Sequence, residues 1–385
     1  MTMVLSAHQL KQEAQAATGL TDFGEAPLDC GLEKLCKSLN KEAKLTELGL
    51  RQAAGHIRGN LIQRLQVQHC YTRHPEIDAQ LITQPIVVFG LPRSGTTALS
   101  QFLAQDRSLR SIRRWEEAQL TPPPESGTQQ TDPRIEATRR AFAERDRAMP
   151  SLMAMLPVTA EDPSEHGGLL GFTFRSLSLS GVYRVPSYER WVESCEMRGA
   201  YDYLARLLKL LQWRCPPDRW NLKYPMDLYF LETLRSVFPD AILVWCHRDP
   251  ACSIPSVASL LCAFRARVSE SVDPTEVGRT EFEQKLEGVR RGMAFIDGHG
   301  DGAVLHVHSA ELAQDPVATV RRLYGQIGRD FSTEFEQALA ARQRARPKGK
   351  FGQHRYRAAD FALNEVEIRS AFADYMDRFE IASEV

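Results

Sequence analysis

The chain has 385 residues, 43% hydrophobic and 25% charged, a balance that fits a globular protein and excludes disordered and fibrous classes. Lys and Arg number 48 against 49 Asp and Glu, and the resulting formal charge of −1 offers nucleic acid no global attraction. No run approaches the roughly 20 apolar residues of a bilayer span, and His8, Gln9, Lys11, Gln12 and Glu13 stand where a signal peptide needs its apolar core. The expected location is cytoplasmic, where the eight cysteines, which form no C-x-x-C pair, read as small buried apolar groups.

Residues 1–83 contain no strand-like run. Leu45, Leu48, Ala54, Ile57, Leu61 and Leu65 recur at mostly helical spacing, which predicts a long amphipathic helix over 45–68 within a helical N-terminal extension. An α/β domain is expected from 84 to 385. It opens on Pro85-Ile86-Val87-Val88-Phe89-Gly90, a short continuous apolar run of the kind that forms a buried parallel strand. A helix follows over 97–104. Residues 121–218 read as a helical, loop-rich insertion, entered through Thr121-Pro122-Pro123-Pro124, which cannot continue a helix. Within it the highly charged stretch 134–147 reads as a solvated helix. Further strands are expected at 220–223, 241–246 and 303–307, with a helix over 226–237, a basic loop over 345–360 and a last helix over 364–379. Strands separated by helices imply a P-loop-type central parallel sheet flanked by helices.

Gly90-Leu91-Pro92-Arg93-Ser94-Gly95-Thr96-Thr97 falls between a strand and a helix. Backbone N–H groups and a helix N-terminus there make an anion cradle, and glycines let the backbone wrap closely. A nucleotide triphosphatase loop would read G-x-x-x-x-G-K-[ST]. Here Thr96 holds the lysine position and the positive charge sits at Arg93. The strand 241–246 runs into His247-Arg248-Asp249, with a base before the acid, so no magnesium site is evident and no metal is expected. Arg248 stands at a strand's carboxyl end, where open α/β sheets bind ligands. With Ser256 eight residues on, it suits a second, separate phosphate, although Asp249 can equally cap the next helix.

Together these segments resemble the sulfotransferase superfamily. Pro92-Arg93-Ser94-Gly95-Thr96-Thr97 is similar to its 5′-phosphosulfate loop, and Arg248 with Ser256 is similar to its 3′-phosphate motif. Asn221-Leu222-Lys223-Tyr224-Pro225 resembles a segment of bacterial and tyrosylprotein-type members, and Gly349 to Tyr356 looks like the C-terminal donor-binding loop. The resemblance implies PAPS (3′-phosphoadenosine-5′-phosphosulfate) as co-substrate, its sulfuryl group passing to a small-molecule, glycan, lipid or peptide hydroxyl with release of 3′,5′-adenosine bisphosphate. Arg93, Ser94, Gly95, Thr96, Thr97, Arg248, Ser256, Lys350, His354 and Arg355 would hold the donor. Arg93 and Lys223 would stabilise the leaving nucleotide, and Glu116 would be the base, with Glu117 second. Glu165 and His166 compete for that role, unless they serve a helix start. His247, His308, Trp191, Trp213, Trp220 and Phe264 read as structural. Ser309-Ala310-Glu311-Leu312 departs from the Tyr-Glu-Asp-Leu-like segment many members carry. The rival readings are a P-loop kinase or NTPase with a degenerate loop, and a non-catalytic nucleotide binder. A homo-oligomer remains open.

Overall fold

The computed structural model describes residues 4–345 and 354–384; Lys348 and Lys350 lie outside them. Five strands, β1 (Ile86–Gly90), β2 (Leu109–Arg110), β3 (Arg219–Lys223), β4 (Ile242–His247) and β5 (Leu305–His308), form one sheet in the order β2-β3-β1-β4-β5. Every pairing is parallel. In the central register Val88 of β1 lies beside Lys223 of β3 and Val244 of β4. The carboxyl ends of β3, β1 and β4 therefore meet on one edge of the sheet.

Alternation along the strands divides the core in two. Val87, Phe89, Leu222, Leu243 and Trp245 pack into the large apolar cluster that also holds Leu32, Ile57, Leu61 and Leu65 from the N-terminal helices. Ile86, Val88, Val244, Cys246 and Val307 face the other way, onto Leu99, Leu103, Val320 and Leu323. Strands buried on both faces need helical layers on both sides, which explains their continuous apolar sequence. The N-terminal helices are Ala7–Thr18, Asp29–Glu42 and Glu47–Arg73, the last capped where Gly49 N–H donates to Thr46 Oγ1 at 3.0 Å. Arg64 of the long helix is wholly buried, and its guanidinium donates to the carbonyls of Phe23 (2.7 Å), Pro27 (2.8 Å) and Phe172 (3.0 Å). It ties the extension to the insertion.

Between β2 and β3 the insertion is mostly helical, and its charged helix Pro133–Ala148 buries only Arg134, Ile135 and Thr138. Three expectations shift. The helix over 226–237 divides into a 3-10 turn Pro225–Tyr229 and a helix Leu231–Val237. The last helix divides into Glu365–Ala371 and Ala373–Arg378, both turned to bury Ile368, Tyr375 and Met376. The strand expected at 303–307 starts later, at Leu305, because Asp301–Ala303 forms a 3-10 turn. β2 has only two residues, too few to leave a pattern. No described helix is long and apolar enough to cross a membrane.

Candidate active site

The loop after β1 is held in a conformation that frees its amides. Gly90 has φ 143°, and a Cβ there would lie 2.3 Å from the Cys246 carbonyl oxygen of β4, so only glycine fits. Arg93 also has a positive φ, 69°, a conformation that costs an ordinary residue about 1–2 kcal/mol. Three hydrogen bonds hold this turn. Ser94 N–H donates to Leu91 O (3.1 Å), Ser253 Oγ to Pro92 O (2.5 Å), and Arg248 Nη1 to Arg93 O (3.0 Å). Gly95, φ 95°, then starts the helix Thr96–Leu103 without any side-chain cap. Its first amides are left for an outside acceptor. Ser94 Oγ is buried and has no hydrogen-bond partner among the described residues.

The two basic residues expected to grip separate phosphates face one cavity. Arg93, Gly95, Arg248, Ser309, Arg342 and Glu384 are among the residues lining a space of about 760 Å³. Arg93 Nε donates to Ser256 Oγ at 3.3 Å, so the serine of the helix Pro250–Arg265 meets the arginine of the loop. Asp249 caps that helix, accepting from Ala251 N–H at 2.9 Å. His354 Nε2 lies 2.6 Å from Ser259 Oγ on the same helix, and Tyr356 Oη donates to Cys252 O at 3.3 Å. The described part of the basic loop thus folds beside Arg93, whose charge helps burial hold His354 below the ordinary histidine value. Arg355 points to solvent instead.

A second group gathers at the tip of β3. Lys223, 1% exposed, donates from Nζ to Glu165 Oε1 at 2.5 Å and to Thr97 Oγ1 at 3.2 Å. Burial lowers the Lys223 pKa while Glu165 opposes the change. Glu165 in turn is pushed up by burial, but Lys223, with Arg114 and His166 behind it, leaves it below the ordinary carboxylate value. Glu117 accepts from Ser164 Oγ and lies against Gly168, where a Cβ would come within 1.8 Å of Oε1. Burial raises its pKa, with Arg114 and the Ser164 hydrogen bond pulling the other way. Sequence reasoning overlooked Arg114; its position three residues before Glu117 on one short helix is the signal that could have found it.

Glu116 is turned away from this group. It is wholly buried, paired through Oε1 with Arg110 Nη2 at 2.5 Å, and its Oε2 accepts from Arg113 N–H at 2.8 Å as a helix cap. His166 is likewise internal, 2.9 Å from Asp227, whose other oxygen accepts from Tyr201 Oη at 2.6 Å. His247 stacks on Phe379 at 4.5 Å and approaches Tyr375 Oη and His306 Nδ1 at 3.0 and 2.8 Å; His308 stands 5.4 Å from its ring. Of the aromatic residues, Trp220 is fully buried, Trp191 and Trp213 pack partly buried on the main core, and Phe264 joins a small cluster around Leu152.

A parallel sheet whose central strand feeds a phosphate-type loop, with a guanidinium at the neighbouring strand tip, places the chain among P-loop-type α/β proteins. Residues 85–333, more than half of the chain, match the sulfotransferase family, and the chain belongs to it. The family's chemistry, sulfuryl transfer, is this protein's. Two solved structures are similar throughout. Sulfotransferase STF9 from Mycobacterium avium shares 28% identity, covers 100% of this chain and 99% of its own, and superposes with a TM-score of 0.91. Sulfotransferase STF1 from Mycobacterium tuberculosis H37Rv shares 27%, covering 96% and 99%, with a TM-score of 0.85. No curated protein matches the sequence.

Proposed function

We propose that the donor is PAPS and that the enzyme passes its sulfuryl group to an acceptor hydroxyl in the cytoplasm without a metal ion. One observation carries this reading: Arg93, which touches Ser256, and Arg248, which touches Arg93, line a single cavity. The loop amides and Arg93 suit a 5′-phosphosulfate, and Arg248 with Ser256 suits a 3′-phosphate, with His354 held close by against Ser259 of the helix that carries Ser256. A single adenosine with phosphate groups at both positions satisfies both halves. ATP has nothing to offer the second.

Transfer is an in-line displacement governed by positioning and charge. The acceptor oxygen forms a bond to sulfur as the bond from sulfur to the 5′-phosphate oxygen breaks, and the leaving nucleotide keeps that electron pair. Lys223, Arg93, the Thr96 and Thr97 hydroxyls and the amides following Gly95 receive the developing charge, as pre-oriented donors do in other acyl and phosphoryl transfers. The hydroxyl proton goes to a carboxylate. We assign that role to Glu117 rather than Glu116, since Glu116 has both oxygens engaged in a buried pair and a helix cap. Glu165 orients Lys223. The cations supply the charge neutralisation that magnesium supplies elsewhere.

The test is ligand-induced thermal stabilisation. 3′,5′-Adenosine bisphosphate should raise the melting temperature and ATP with magnesium should not. Arg248→Ala should weaken bisphosphate binding about 10- to 100-fold, the worth of hydrogen bonds to a charged group. Turnover with PAPS should survive EDTA. A preference for ATP would restore the kinase reading.

A further inference from the structure

Arg248 is already occupied by a carboxylate from far along the chain. Glu384 accepts from Arg248 Nε at 2.9 Å and from Nη2 at 2.8 Å, two parallel bonds of the kind a phosphate makes with a guanidinium fork. The remaining arm, Nη1, holds the Arg93 carbonyl at 3.0 Å, so the fork has no side left for a second bidentate ligand. Glu384 also lines the cavity that Arg93 and Arg248 share.

The segment is set there by its backbone. Glu384 N–H donates to Asp249 Oδ2 at 2.9 Å, and Arg369 Nη2 donates to the Glu384 carbonyl at 3.0 Å. Arg369 itself pairs with Asp249 through Nε (3.0 Å) and Nη2 (2.9 Å). Asp249 is wholly buried and adjacent to Arg248 in sequence. The helix cap next to the proposed phosphate residue is therefore also the anchor of the segment that covers it. Side chains at 27% and 34% exposure make the Arg248–Glu384 pair neither freely solvated nor sealed.

We infer that Glu384 competes with the donor's 3′-phosphate for Arg248, so that the segment after the helix Ala373–Arg378 is a gate over the 3′-phosphate subsite alone. The inference rests on the assignment of Arg248 to the 3′-phosphate. With the gate closed, a doubly charged phosphate meets a carboxylate instead of a free guanidinium; with it swung aside, Arg248 is bared and still tied to the Arg93 loop. The apparent affinity for the donor is then the intrinsic affinity reduced by the fraction of molecules with the gate open.

The experiment measures binding of 3′,5′-adenosine bisphosphate and of adenosine 5′-phosphosulfate, which lacks the 3′-phosphate, by calorimetry. The proteins are the parent, Glu384→Gln, Glu384→Ala, Arg248→Ala and the double variant Arg248→Ala/Glu384→Ala. Both Glu384 variants should bind the bisphosphate about 3- to 10-fold more tightly, as expected for a site closed in most molecules, and should bind the phosphosulfate as the parent does. In the Arg248→Ala background the Glu384→Ala gain should vanish. Unchanged or weaker bisphosphate binding in both Glu384 variants overturns the gate, as does an equal gain for both ligands. Failure of the underlying assignment looks different: Arg248→Ala would then bind the bisphosphate like the parent.

Discussion

Lys223 Nζ lies 2.5 Å from Glu165 Oε1, in a pair whose lysine is 1% exposed and whose carboxylate is 37% exposed. The asymmetry sets the division of labour. The lysine cannot rotate into water, so Glu165 and Thr97 fix its ammonium at the end of β3, beside the start of the loop helix. Lys223→Ala should lower kcat about 10²- to 10³-fold, the usual cost of one pre-oriented charge donor. Bisphosphate affinity should stay within a few-fold. Steady-state kinetics beside calorimetry separates the two, and a matching loss of affinity would make Lys223 a donor-binding residue only.

Glu116 and Glu117 are neighbours with opposite fates, and their amide variants should fail in different ways. Glu116→Gln takes the charge from a buried carboxylate facing Arg110, and breaking such a pair typically costs about 3–5 kcal/mol. It should melt markedly earlier. Glu117→Gln should melt near the parent and lose about 10²- to 10⁴-fold in turnover, the range of a general base. Because burial raises the Glu117 pKa, the acid limb of kcat/KM should fall above the ordinary glutamate value of about 4.3. A folded, inactive Glu116→Gln with an active Glu117→Gln would reverse the assignment.

Gly168 offers a test that removes no charged group. Its missing Cβ is what allows Glu117 Oε1 to sit where a methyl group would be 1.8 Å away. Gly168→Ala should push the carboxylate off Ser164 and lower turnover at least ten-fold, an effect in keeping with catalytic losses from displacements near 1 Å. Bisphosphate binding should be untouched, since neither Gly168 nor Glu117 lines the cavity that Arg93 and Arg248 share. Wild-type turnover would mean that Glu117 has no set position to lose.

The strand–turn–helix framework around the candidate site is legible in the chain because local pattern decides it. The apolar run before Gly90, the glycine spacing of the loop and the Arg248–Ser256 interval all lie within single strand–turn–helix units. What escapes notice depends on a strand too short to leave a pattern or on residues distant in sequence. The Arg110–Glu116 pair depends on β2, whose two residues carry no periodicity. Lys223 and Glu165 are 58 positions apart, and Arg248 and Glu384 are 136 apart. Choosing between adjacent glutamates needs the direction of a five-residue helix, Arg114–Ala118, where Glu116 reaches back to its cap and Glu117 turns toward Gly168. Helix capping by a glutamate three residues in is a recognisable pattern, but here Arg113, not Ser or Thr, stands at the cap.

The histidine stack behind Arg248 should make the fold sensitive to acid. Burial, with His306 and His308 adding repulsion, lowers the His247 pKa well below the ordinary histidine value, and burial brings His306 down to about 4. Both rings are thus neutral in the folded protein at pH values where the unfolded chain, titrating near 6.5, binds protons. The unfolded state holds more protons between about pH 6.5 and 4, so stability rises with pH across that window and is lost as pH falls through it. The same rings seat Tyr375, on the helix Ala373–Arg378, and Phe379 just past its end, on the way to Glu384. The urea midpoint should therefore drop between pH 7 and pH 5, and His306→Asn, which removes one titrating ring, should shrink that drop. An unchanged pH dependence in His306→Asn would show that His306 ionises alike in the folded and unfolded chain.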